Sequence, residues 1–82
     1  MSHVPHELAE EFPNNVDALQ MLRQSNAHAA RLMDEYHEIN RLLHRVETDI
    51  EPMSDFEAVR LRKTRMTLKD EVARMLRDHA GS

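Results

Sequence analysis

Six histidines, His3, His6, His28, His37, His44 and His79, are the first side chains in this 82-residue chain with the means to do chemistry. An imidazole can ligate a metal or exchange a proton near neutral pH. A metal site needs such ligands to converge on one point, with partners behind them. The spacing does not supply that convergence. His37 and His44 lie seven apart, two helical turns along one face, and His3 and His6 flank a proline. The reading is six solvated histidines and no metal. Cysteine is absent, which excludes thiolate zinc sites, redox pairs and disulfides.

Carboxylates come next. Asp34-Glu35 and Asp70-Glu71 are adjacent pairs, but helical neighbours diverge by about 100°, so neither forms a dyad for acid–base work. No nucleophile–base pair stands out. Gly81 is the single glycine, which excludes phosphate-cradling loops that need several. Neither enzymatic activity nor a cofactor is expected.

The remaining candidate is the run Arg60-Leu-Arg-Lys-Thr-Arg65, which sets Arg60, Arg62, Lys63 and Arg65 within two turns as contacts for phosphate or another anionic partner. Nucleic acid is the weaker reading. No aromatic residue interleaves with the run to stack on bases, and the chain carries a net charge of −4. The charge is also divided: residues 1–55 sum to −7 and residues 56–82 to +3. An internal use fits better, with the run folded back near Glu35, Glu38 and Glu47.

Helices must position all of these groups, since one glycine and three prolines are too few for a turn-rich β protein. Pro5 suits a first helical turn, and Pro13 ends a short helix over 5–12. Asn14 or Asn15 caps a second over 15–24, with a break expected at Ser25-Asn26. Ala29, Leu32, Tyr36, Ile39, Leu43, Val46 and Ile50 then repeat at 3, 4, 3, 4, 3 and 4, the seam of a coiled-coil-like helix over 27–50. Glu51-Pro52 stops it. Ser54-Asp-Phe-Glu57 reads as a reciprocal capping box opening a helix over 55–78. A loop this short favours an antiparallel hairpin, with Val46 near Ala58, Leu43 near Leu61, Tyr36 near Leu68 and Leu32 near Val72. Arg65 falls on that seam, its stem over the core and its guanidinium reaching outward. The chain is read as a single all-α domain over 1–82: an antiparallel helical hairpin with two short N-terminal helices.

Two helices bury little, and a chain this short has little margin. Met21, Met33, Leu42, Met66 and Leu76 lie off the seam, and methionine packs adaptably at interfaces. Either the N-terminal helices cover these residues or a second copy does. The expectation is a homo-oligomer that also binds another protein. No apolar run approaches the ~20 residues needed to span a bilayer. The first residues lack the basic start and apolar stretch of a signal peptide, so a cytoplasmic setting is expected and no membrane partner.

Ser25-Asn-Ala-His-Ala-Ala-Arg-Leu-Met-Asp-Glu-Tyr-His-Glu-Ile-Asn40 resembles the first long helix of the YdcH family (DUF465) of short bacterial proteins. Leu68-Lys-Asp-Glu-Val72 is similar to that family's second-helix signature, and Ser2-His-Val-Pro-His-Glu-Leu8 with Glu11-Phe-Pro13 to the start of its longer members. The resemblance implies a helical hairpin in a bacterial cytoplasm. The family's function is unknown, so it implies no catalytic or binding residue. Ala29 stands where the family pattern leads one to expect an aromatic, which lightens packing at the open end of the hairpin.

Overall fold

A computed structural model describes residues 4–48 and 52–81, with side chains up to residue 79. His3 and the seam position Ile50 lie outside the described residues. Four helices follow in order: α1 (His6–Glu11), α2 (Val16–Ser25), α3 (Ala27–Glu47) and α4 (Asp55–Gly81). The chain is all-α, as its spacing predicts. The 27 residues of α4 span about 40 Å at 1.5 Å per residue, which sets the long dimension of the 43 × 22 × 22 Å molecule.

Local chemistry explains each boundary. Pro5 is the N-cap of α1, and the residue before Pro13 takes φ −128° and ψ 63°, outside the helical region. Asn15 precedes α2 without a side-chain cap bond. Asn26 does make one: extended at φ −138° and ψ 106°, it breaks α2 from α3 and its Oδ1 accepts from the Ala29 N–H at 3.1 Å. Such a cap contributes about 1 kcal/mol. Half of the predicted capping box forms. The Ser54 Oγ accepts from the Glu57 N–H at 3.1 Å, but the Glu57 carboxylate turns to Arg60 instead of back to Ser54. A charged donor one turn ahead outcompetes a neutral amide.

Two cross-links establish the antiparallel register. Arg65 Nη1 donates to Asn40 Oδ1 at 2.9 Å, and Arg62 lies 3.6 Å from Glu47, so advancing along α3 means retreating along α4. Arg65 is half-buried, and Asn40 offers its guanidinium an acceptor. This polar layer separates two apolar ones. Toward the loop, Leu43, Ala58 and Leu61 are buried. Toward the open end, Ala29, Met33, Tyr36, Leu68, Val72 and Leu76 join Leu8 of α1 and Leu19 and Leu22 of α2 in one core.

The N-terminal helices thus complete a four-helix core. Met33 is 0 % exposed and Leu76 is buried, which corrects their assignment to an outward self-association face. The stripe on α3 is wider than the heptad seam, because α2 packs beside α4. Ala29 is also fully buried, so the open end of the hairpin is closed over this small side chain. Arg23 ties that end together, donating to Asp34 at 2.9 Å and to the Ala30 carbonyl at 3.3 Å.

Candidate functional site

The four basic residues predicted as an anion contact do not stay together. At about 100° per residue, a run on one helix splits around it. Arg62 and Arg65 turn toward α1 and α3, while Arg60 and Lys63 face away from the core. Three of the four are occupied: Arg60 by Glu57, Arg62 by Glu47 and Arg65 by Asn40. Glu47 therefore balances the run as expected. Glu35 and Glu38 do not, and this corrects their placement. They lie on the outer face of α3, where Glu38 approaches Arg41 at 3.9 Å. That face forms a shallow hollow of about 560 Å³ over Ala27, Ala30 and Ile39, rimmed by Asp34, Glu35 and Glu38.

Arg62 and Arg65 meet Lys69 in an open cleft of about 530 Å³, facing Glu7, Glu10 and Glu11 of α1 across Tyr36 and Asn40. The cleft is nearly self-neutralised. Lys69 donates to Glu11 at 2.7 Å, a hydrogen bond and charge contact that hold its ammonium above the usual lysine range. Glu7 meets His37 Nδ1 at 3.1 Å. Burial pushes the Glu7 carboxyl up, but a bond from its own backbone N–H and the contacts with His37 outweigh this and leave it below the usual carboxylate range. The remaining oddity is Asn40, whose Nδ2 is buried with no acceptor among the described residues. Its Oδ1 is held by Arg65, so a slip in register would leave that oxygen and the Arg65 guanidinium unpaired as well.

Of the histidines, His6 pairs with Glu10 at 3.1 Å along α1 and His37 with Glu7 between α1 and α3. Among the described residues no three acidic or histidine side chains converge as a metal cluster would require.

The outer face of α4 is different in kind. Phe56 is 79 % exposed, Met66 64 % and Val59 46 %, and among the described residues no helix covers them. Met21 on α2 is also exposed, and Leu42 on α3 is half-buried. Of the five residues predicted for self-association, Met21 and Met66 are exposed. Phe56 and Val59 are not among those five, yet both are exposed. A signal for them existed: Phe56, Val59 and Met66 fit a 3, 4, 3 spacing through Lys63, offset from the seam set Ala58, Leu61, Leu68 and Val72. Nothing local announced Lys69–Glu11, whose partners are 58 residues apart.

Fold and site together define a small all-α protein built on an antiparallel hairpin, with its cleft charges paired and one apolar face open. The model of the family described as "Protein of unknown function (DUF465)" matches residues 30–76, more than half of the chain, and the chain belongs to this family. The match runs from Ala30 in α3 to Leu76 in α4, so it covers the hairpin, and α1 and α2 lie outside it. No curated protein and no solved structure matches the chain. Among the described residues, no helix is long and apolar enough to cross a membrane.

Proposed function

We propose that this protein is a non-catalytic helical module of the cytoplasm that binds other proteins, copies of itself included, through the outer face of α4. The observation that carries the reading is the exposure of Phe56, Val59 and Met66 on one side of one helix. Single exposed apolar residues need no explanation, but three on one side of one helix point to a contact surface. An aromatic and a methionine suit such a surface, the first as a large rigid anchor and the second as an adaptable filler. The reading calls for no cofactor. The nucleic-acid alternative draws less support, because Arg60, Arg62 and Arg65 already have partners in the chain.

Affinity purification from the native cell, run in parallel with the natural chain and a Phe56→Asp/Met66→Asp variant, tests it. Both substitutions sit on exposed positions and leave the core intact. Specific proteins retained at high salt by the natural chain and lost by the variant are expected. Identical protein sets from both would sink the proposal. So would salt-sensitive retention of DNA or RNA in a gel shift, which favours the basic run instead.

A further inference from the structure

The open stripe on α4 is part of a longer series. Phe56, Val59, Lys63, Met66, Asp70, Ala73 and Arg77 are spaced 3, 4, 3, 4, 3 and 4, one heptad-spaced row in which Phe56, Val59, Met66 and Ala73 are apolar and Lys63, Asp70 and Arg77 are charged. All but Ala73 are exposed. The flanking cations Arg60, Arg62, Lys69 and Arg74 each have a carboxylate partner within the chain. Lys63 and Asp70 are different: neither makes a salt bridge among the described residues, although the Asp70 charge also acts on its neighbour Lys69. They lie about 10 Å apart along the helix, too far to serve one another.

We propose that a second copy of this chain covers the face, α4 against α4 in an antiparallel two-fold pair, with Lys63 of each copy within one turn of Asp70 of the other. This rests on the self-association included in the proposed function and adds the surface, the orientation and the register. Charge decides the orientation. A parallel in-register pair would stack Lys63 on Lys63 and Asp70 on Asp70, and like charges in a seam are unfavourable. An antiparallel pair centred between Lys63 and Met66 places Phe56 opposite Ala73, Val59 opposite Asp70 and Lys63 opposite Met66. Lys63 then lies within one turn of the second copy's Asp70, and symmetry makes the contact twice. Met66 lies along the stem of Lys63, which can cover it while the ammonium reaches the carboxylate.

Symmetry and size agree with this arrangement. A two-fold contact uses the same patch on both copies and closes, leaving no open end to grow into a fibre. One helix pair over about six turns buries no more than the ~800 Å² per partner of a standard interface. That size suits a reversible pair rather than an obligate dimer.

Sedimentation equilibrium of the full chain, from micromolar to submillimolar concentration, reads the outcome directly. The mass should rise from 9.6 kDa toward twice that value. Lys63→Asp and Asp70→Lys should each weaken the dimer by about tenfold or more, since each replaces two attractions with two repulsions. The double variant Lys63→Asp/Asp70→Lys should return to within about threefold of the natural chain, the behaviour of a coupled pair. Both positions are exposed, so far-ultraviolet circular dichroism should show the same helicity in all four proteins. A dimer indifferent to either reversal, or not rescued by the double exchange, overturns this pairing while self-association stands. A mass of 9.6 kDa at every concentration overturns self-association itself, and leaves contact with other proteins to the purification experiment.

Discussion

Met33 and Met66 are the same residue type on the two arms of one hairpin, and they end in opposite surroundings. Met33 is fully buried beneath α2, whereas Met66 stands 64 % exposed on the outer face of α4. Truncating a buried methionine removes its contacts and leaves a cavity, at a cost of about 2–5 kcal/mol. Truncating an exposed one should change stability by no more than about 0.5 kcal/mol. Met33→Ala is therefore expected to lower the urea midpoint sharply, and Met66→Ala to leave it nearly unchanged, in unfolding curves taken at low protein concentration. Equal shifts would contradict the assignment of core and surface. Asn40 and Arg65 make a related point, since neither residue type announces a place in a hairpin seam, yet each supplies what the other lacks.

At the scale of elements, α1 is the piece most dependent on its neighbours. Six residues cannot hold a helix in water alone. Leu8 inserts into the core, and the ends are held by Glu7–His37 and Glu11–Lys69. Because the folded Glu7 carboxyl titrates below its ordinary value, its contribution is present at pH above that value. It is lost as the pH falls through the depressed one. The group is partly exposed, so the effect amounts to a fraction of about 1 kcal/mol. Glu7→Gln should loosen α1 at neutral pH, visible as a shift of the Leu8 methyl resonances toward undocked values. In acid below the carboxylate range, the natural chain and the variant should converge. A variant indistinguishable from the natural chain at neutral pH would remove Glu7 from the account of α1 docking.

For the molecule as a whole, α1 and α2 are structural partners of the hairpin rather than appendages. With Leu8, Leu19 and Leu22 they join Ala29, Met33, Tyr36, Leu68, Val72 and Leu76 in one core, and among the described residues no further helix is available to cover that surface. A chain lacking residues 1–25 would expose that surface to water. It is expected to melt at lower temperature and with less cooperativity than the full chain when both are compared at one concentration by circular dichroism. A truncated hairpin with an undiminished melting temperature would show that the N-terminal helices add nothing to the core. The family match makes the comparison pointed, because residues 30–76 comprise the hairpin alone.

The helices themselves were legible from local chemistry. Pro13, the break at Asn26 and the Ser54 cap mark boundaries through dihedral and hydrogen-bond constraints that act over a few residues. The 3, 4 spacing from Ala29 to Val46 likewise encodes a helix face by geometry alone. What the tertiary structure decided was the allocation of faces. A helix apolar on two sides, as α4 is, does not state which side its own chain will cover. That depends on where α1 and α2 pack, through contacts as distant in sequence as Lys69 with Glu11. So the basic run, read as one patch, became two, with Arg62 and Arg65 drawn to the cleft and Arg60 and Lys63 left outside. Periodicity is a property of the chain, but burial is a property of its neighbours.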